Sequence, residues 1–379
     1  MKKILVVLLI LLVLVGCGGS ANTGVVIGFN FELTGAVADY GQMEEKGASL
    51  AAKLANDNGG VLDQEINVIT VDNQSELTEV VSATTKLATM DNAVAIIGPA
   101  TSGNSAASFE SASQNATPNI SPSATADGVT MDGDGNLLEY AFSLSFQDSY
   151  QGSVMGKFAI DNMQAKKAVI FSDNSSDYAK GLADNFETYF TENGGSIVSV
   201  EAYTAGETDF NAVLTNIASM DFDILFVPGY YAEVGLIIRQ ARAMGIDKPI
   251  LGGDGYGSPE LVNLATEEHL NNVYYSTGFN SESDSQVVKD FISAFEAEYN
   301  ESPGSFAALA YDATNLLIDA IERAGSTDRE AVKEAIAATE SFVGVTGTVS
   351  FAENHTPIKS VVVIGLNNGV QSSAVEVTP

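Results

Sequence analysis

The chain has 379 residues, of which 49 are Asp or Glu and 17 are Lys or Arg, giving a formal charge of -32. Nucleic acid is held by clustered Lys and Arg, and beyond the pairs Lys2-Lys3 and Lys166-Lys167 no basic run occurs, so a nucleic-acid partner is excluded and an anionic membrane surface disfavoured. With 45% hydrophobic and 17% charged residues the chain is apolar enough to fold, and its length suits two domains of ordinary size.

The chain begins with Lys2 and Lys3, followed by an unbroken apolar run at 4–15. These 12 residues are fewer than the roughly 20 needed to span a bilayer as a helix, and they end in small residues, as export signals do. Residues 1–16 are therefore expected to be a signal peptide. The run meets the single cysteine of the chain, and Leu14-Val15-Gly16-Cys17 resembles the bacterial lipobox, in which the chain is cut before Cys and the thiol carries diacylglycerol. The other reading is a cleaved secretory signal with a free thiol. Either way no disulfide can form, and the expected location is outside the cytoplasmic membrane, tethered by lipid at Cys17 with a linker up to residue 23.

Apolar β-rich runs then alternate with helical patterns, which argues for parallel sheets. A strand is predicted at 25–31, a helix at 43–58 ending at Gly59-Gly60, a strand at 66–72, a helix at 77–90 and a strand at 93–98. A helix at 103–115 and a strand at 118–121 follow, completing one α/β unit by about residue 143. The second series places helices at 149–162, 178–193, 210–220 and 233–244, and strands at 168–171, 196–203, 224–228 and 250–253. Long helical patterns at 286–299 and 306–324 come after it, so one half is expected to be discontinuous in sequence. One turn-rich stretch, 127–139, carries Asp132, Asp134 and Asn136 at the alternate spacing of a calcium loop. Leu137 stands where such a loop needs Gly, however, and Ser143 where it needs Glu, so a solvated acidic turn is expected and no metal.

Signatures of catalysis are scarce. The two histidines, His269 and His355, lie 86 residues apart in polar contexts and are expected to be lone and exposed. No His/Cys cluster, Gly-x-Ser-x-Gly elbow, dinucleotide fingerprint or phosphate loop occurs, so no enzyme and no cofactor is expected. What stands out is a set of small hydroxyl residues just after predicted strands, where open α/β sheets hold ligands. Thr101 and Ser102 precede a helix start, and Ser123 and Thr125 lie in the next such turn. Ser102 suits a helix cap; the same place suits a ligand carboxylate, which free N–H groups and the helix dipole attract. Asp254, in the glycine run 252–257, suits either an ordinary turn or a ligand ammonium. Tyr230 and Tyr231 suit ligand contact and packing between the halves equally.

The segments LTGAVADYG (33–41), NDNGGVLDQEINVITVDNQSE (56–76), IIGPATSGNSAA (96–107), PNISPSATADG (118–128), PGYYAEVGLIIRQARAMG (228–245), GGDGYG (252–257) and GVTGTVSF (344–351) resemble the leucine/isoleucine/valine-binding proteins of ABC importers. The likeness runs in order over nearly the whole chain after the leader. It implies an α/β type I periplasmic-binding-protein fold, with two Rossmann-like lobes joined by three hinge crossings and closing on ligand in the cleft between them. Lobe I would comprise 24–144 and 278–358, and lobe II 145–277 and 359–379. The likeness further implies that Ser102, Ser123 and Thr125 hold the carboxylate and part of the ammonium of an amino acid, and that Asp254 faces the ammonium. Tyr40, Tyr178, Tyr230 and Phe306 would line the cleft. The receptors it resembles carry Glu at the position of Asp254, one methylene longer. The implied partners are a small amino acid, most of all a branched-chain one, and the permease subunits of an ABC transporter, with the receptor a monomer. The same scaffold also suits amides, urea, aromatic acids or a sensory role.

Overall fold

The computed structural model describes residues 24–357 and 359–377, so Cys17, the leader and the linker before residue 24 lie outside the described residues. Strands β1 (Val25–Phe31), β2 (Ile66–Asp72), β3 (Ala95–Ile97), β4 (Asn119–Ser121) and β5 (Ala141–Ser143) form a parallel sheet in the order β2-β1-β3-β4-β5. Helices α1 (Ala38–Asp57), α2 (Leu77–Thr89) and α3 (Ser102–Gln114) cross between them. β1 reads as a nearly continuous apolar run because helices cover both faces of the sheet.

A second unit repeats the winding. After α4 (Asp148–Asp161) come β6 (Lys167–Asp173), α5 (Asp177–Glu192), β7 (Ser196–Tyr203), α6 (Asn211–Ala218), β8 (Ile224–Phe226), α7 (Tyr231–Ala243), β9 (Ile250–Gly252), α8 (Glu260–Ala265) and β10 (Val273–Thr277). Their sheet runs β7-β6-β8-β9-β10, the same order strand for strand. The chain then returns to the first unit with α9 (Gln286–Tyr299), α10 (Ser305–Ala324) and α11 (Arg329–Ala337). α10 packs on α1 and beneath β3 and β4. A small hairpin, β11 (Phe342–Gly344) with β12 (Gly347–Val349), precedes β13 (Val361–Asn367) and β14 (Val370–Val377), which extend the second sheet antiparallel beyond β10. The chain therefore passes between the sheets three times: after β5, after β10 and before β13.

These passages are fastened to one another. The buried ammonium of Lys359 donates to the carbonyl of Leu144 at 3.2 Å and to Thr346 Oγ1 at 2.6 Å. The Thr346 hydroxyl in turn donates to Asp312 on α10 at 2.6 Å. Burial pulls Lys359 down to about 8, opposed by the negative charge of Asp312.

Most predicted elements recur with ends moved by a residue or two. α1 starts at Ala38 rather than at 43, which brings Tyr40 onto the helix. Gly41 disfavours a helix by propensity, yet here it is required: a Cβ would stand 2.4 Å from the carbonyl oxygen of Glu32. β5, β10, α8, α11 and the four strands β11–β14 were not anticipated. Neither histidine is the exposed side chain that the sequence suggested. His355 stacks on Phe142 at 4.3 Å and its Nδ1 lies 3.0 Å from the carbonyl of Ala141, while His269 Nδ1 lies 2.8 Å from the carbonyl of Ala265. In the acidic turn, Asp132 accepts from the Asn136 side-chain amide at 3.0 Å and, through Oδ1, from the backbone N–H groups of Asp134 and Asn136 at 2.9 and 2.8 Å, and these donors pull its carboxyl down.

The core of the second unit centres on an aromatic stack in which Phe226 lies 4.1 Å from Phe186, both fully buried. Phe226→Ala is expected to cost about 3–5 kcal/mol, the range for deleting a buried aromatic ring, measured as a fall in unfolding free energy by chemical denaturation.

Candidate ligand-binding cleft

Both sheets have the strand order in which neighbouring strands send their connections to opposite faces, opening a crevice at the carboxyl ends. The two crevices face each other. From the first unit come Ser102 after β3, Ser123 and Thr125 after β4, Tyr40 on α1 and Phe306 on α10. From the second come Tyr178 in the first turn of α5, Tyr230 after β8 and Asp254 after β9. The eight residues to which the resemblance gives a ligand role line one cleft, together with Ala100, Thr101 and Gly255.

On the first side, the hydroxyl of Ser102 does not cap its own helix. Its oxygen accepts from the backbone N–H groups of Thr125 and Ala126, each at 3.1 Å, so both lone pairs are used and its hydrogen is left to donate. The anion position at the start of α3 is partly taken from within. Glu32, just after β1, accepts from the N–H groups of Ala100 and Thr101 at 3.0 and 3.2 Å and from Asn104 Nδ2 at 2.8 Å. Beside it lies Glu44, one helical turn beyond Tyr40 on the same face of α1. Glu44 Oε1 stands 2.5 Å from Ser123 Oγ, which also contacts the carbonyl of Ala100 at 2.9 Å. Burial, and then the negative charge of Glu32, push Glu44 well above the usual carboxyl range.

On the second side, Asp254 Oδ1 accepts from the Tyr178 hydroxyl at 2.8 Å, and the N–H of Asp254 donates to Gln151 Oε1 at 2.7 Å. The same phenol oxygen accepts from the N–H of Gly255 at 3.0 Å. Burial pushes Asp254 up to about 6, against the lowering effect of Tyr178 and Gln151. Behind it the buried Asp148, held near Gln151 Nε2 at 3.4 Å, is pushed well up by burial and by the charge of Asp254. No Lys, Arg or His lines the cleft among the described residues.

Aromatic rings close the remaining walls. Tyr40 stacks on Phe306 at 4.2 Å, Tyr178 stacks on Tyr230 at 5.0 Å, and Tyr40 meets Tyr230 edge-on at 5.8 Å. Tyr40 also bridges the two units: its hydroxyl donates to the carbonyl of Gly255 at 2.5 Å and accepts from the N–H of Tyr231 at 3.2 Å. The N–H of Asp39 donates to the Tyr231 hydroxyl at 3.3 Å, and Ser258 donates to the Asp39 carboxylate. Gly255 has to be glycine for this approach, since a Cβ would stand 2.6 Å from the carbonyl oxygen of Gly229. Tyr231 thus belongs to the contact between the units, and Tyr230 to the cleft. Glu32, Glu44, Asp148, Gln151 and Gly255 were not singled out in the sequence; the one available signal was the placement of Glu44 four residues after Tyr40.

The periplasmic binding protein family profile matches residues 24–371. This chain belongs to that family. The Leu/Ile/Val-binding protein BraC3 of Rhizobium johnstonii is 32% identical over 88% of this chain and 89% of its own length. Among solved structures, the branched-chain amino acid transporter substrate binding protein LivJ of Streptococcus pneumoniae, in complex with isoleucine, is 44% identical with a TM-score of 0.89, covering 94% of this chain and all of that one. A leucine binding protein LivK of Thermotoga maritima is 34% identical with a TM-score of 0.87, covering 94% of this chain and 99% of that one. The family is one of extracytoplasmic substrate-binding proteins of transport systems, and among the described residues no helix is long and apolar enough to cross a membrane.

Holding Asp254 ionised in a buried cleft costs folding energy. Its pKa in the folded state, about 6, lies above the ordinary 3.8, so the native state binds more protons between these values and stability falls as pH rises through that window. Asp254→Asn is therefore expected to raise the stability of the ligand-free protein by about 1–3 kcal/mol at pH 7, with the gain fading toward pH 4. Denaturant titrations at the two pH values measure it.

Proposed function

We propose that this protein captures a free branched-chain amino acid by closing its two lobes on it and delivers it to the permease of an ABC importer. The observation that carries the reading is the division of polar groups across the cleft. Donors without a charge of their own, Ser102 and Thr125, face from the first unit, and a carboxylate with no cationic partner among the described residues, Asp254, faces from the second. A zwitterion supplies the missing charge on one end and uses the donors with the other, while the aromatic walls suit an apolar side chain. The isoleucine held by the LivJ relative and the names of the BraC3 and LivK relatives support this choice of ligand.

In this reading lobe I comprises 24–144 and 278–358, and lobe II 145–277 and 359–379. Ser102 and Thr125 take the carboxylate first, with the Ser123 turn beside them; Asp254 reaches the ammonium only when the lobes meet, so ligand contacts shift the population toward the closed form. Charge-assisted hydrogen bonds contribute roughly 1.5–3 kcal/mol each, and three or four supply the roughly 8 kcal/mol of micromolar binding after ordering costs. The protein acts as a monomer, anchored outside the cytoplasmic membrane by diacylglycerol on Cys17. It performs no reaction on its ligand.

Calorimetric titration of the purified protein with leucine, isoleucine, valine, urea, short amides and aromatic acids tests the reading. Micromolar binding of the branched-chain amino acids is expected, weakened at least about tenfold in Asp254→Asn. Since Asp254 titrates at about 6, only about a tenth of it is ionised at pH 5, so affinity should fall about tenfold between pH 7 and pH 5. Binding of urea, an amide or an acid without an ammonium group, in place of amino acids, would remove the role given to Asp254. Cys17→Ser is expected to move the protein from the membrane to the soluble fraction of its host; unchanged fractionation would remove the lipid anchor.

A further inference from the structure

Beneath the hydroxyl-bearing turns of the first unit lie two carboxyl groups with very different surroundings. Glu32 is met by four donors: the N–H groups of Ala100 and Thr101, the Thr101 hydroxyl and Asn104 Nδ2. Glu44 is fully buried, and among the described residues its only hydrogen-bond partner is Ser123 Oγ at 2.5 Å, while its Oε2 has none. A charge buried with one neutral partner and a second carboxylate nearby is among the costliest arrangements in a protein. A neutral carboxyl in the same place has an O–H to give, and Ser123 Oγ is there to receive it.

The hydrogen count supports that form. Ser123 Oγ lies between Glu44 Oε1 and the carbonyl of Ala100, both of them acceptors when Glu44 is ionised, yet a serine hydroxyl carries a single hydrogen. When Glu44 is protonated both contacts become sound: Glu44 donates to Ser123, and Ser123 donates to Ala100. We propose that Glu44 is a positioning residue of the cleft, held as a neutral carboxylic acid whose proton links α1 to the Ser123 turn and, through it, to the Ala100 turn. It fixes both ligand-facing turns without setting another negative charge beneath the site that receives an anion. The inference rests on the amino-acid reading above for the identity of that anion, and it adds a residue through which the site is held in shape.

The experiment compares the full chain with Glu44→Gln and Glu44→Leu. At pH 7 the infrared difference spectrum of wild type minus Glu44→Gln should show the carbonyl stretch of a protonated carboxyl; carboxylate bands in its place would overturn the proposal whatever the ligand. Glu44→Gln, neutral and still a donor, should bind leucine within about threefold of wild type, whereas Glu44→Leu, neutral but without a donor, should lose at least about fivefold, the effect of one hydrogen bond. Circular dichroism checks that each variant is folded. Equal affinity in wild type and Glu44→Leu would overturn this inference alone, and so would a folded Glu44→Gln that binds as poorly as Glu44→Leu. Failure of wild type to bind any α-amino acid would overturn both this inference and the functional reading.

Discussion

Asp254 is a buried carboxylate in a cleft lined by no cation among the described residues, and the design of the site follows from that deficit. A protein interior tolerates an ion when donors or an opposite charge compensate for lost water. Tyr178 and Gln151 provide part of that compensation, through a phenol at 2.8 Å and through the bond that orients the backbone of the turn. In the proposed reading the remainder arrives with the ammonium of the ligand. Around Asp254 the fold keeps the other carboxyl groups from adding to the burden. Glu32 is surrounded by donors at the start of α3, and burial pushes both Glu44 and Asp148 toward the neutral form. Among the described residues Asp254 is thus the one carboxylate that lines the cleft, and in the proposed reading it orients a dipolar ligand by its ammonium.

The duplicated winding explains how two units can present opposite chemistry with one architecture. Each sheet opens a crevice where its connections diverge, so each unit offers the turns after its central strands to the same space. In the first unit those turns begin α3 and carry small hydroxyl residues; in the second they carry Tyr230 and the Asp254 glycine run. Tyr40 then joins the two by bonding the carbonyl of Gly255 and the N–H of Tyr231 while its ring stacks on Phe306. Tyr40 and Gly255 therefore both join the units and wall the cleft, while Tyr231, Asp39 and Ser258 join the units beside it. Closure and enclosure are one event in this geometry.

Much of this was legible in the sequence because the relevant signals are local. Strand ends followed by Thr101-Ser102, by Ser123-Ala124-Thr125 and by the 252–257 glycine run could be read from periodicity and turn chemistry, and the family resemblance aligned them. What escaped depends on tertiary contacts. The buried carboxyl groups of Glu32 and Glu44 look like any acidic residue in a chain with 49 of them. Only the approach of α1 to the two turns distinguishes them. β10 was missed because its neighbours supply its context: Val273–Thr277 pairs with β9 on one side and with β13 on the other. The β13–β14 hairpin did carry a signal, since Asn368 and Gly369 both have positive φ, the conformation that an Asn-Gly turn favours. Gly41 misled in the opposite direction, since the close approach of Glu32 outweighs its weak helix propensity.

The Lys359 ammonium has a mechanical consequence. It belongs to the third passage between the units and grips the carbonyl of Leu144 on the first, with Thr346 and Asp312 behind it. Two of the three connecting segments therefore share one bolt, and sliding either along the other would break a charge-assisted bond in a dry setting. The fastened segments form a common axle between the units. Because burial brings that lysine down to about 8, the bolt holds its charge at neutral pH and loses it on the alkaline side, so the stiffness of the axle is itself a titratable property of the molecule.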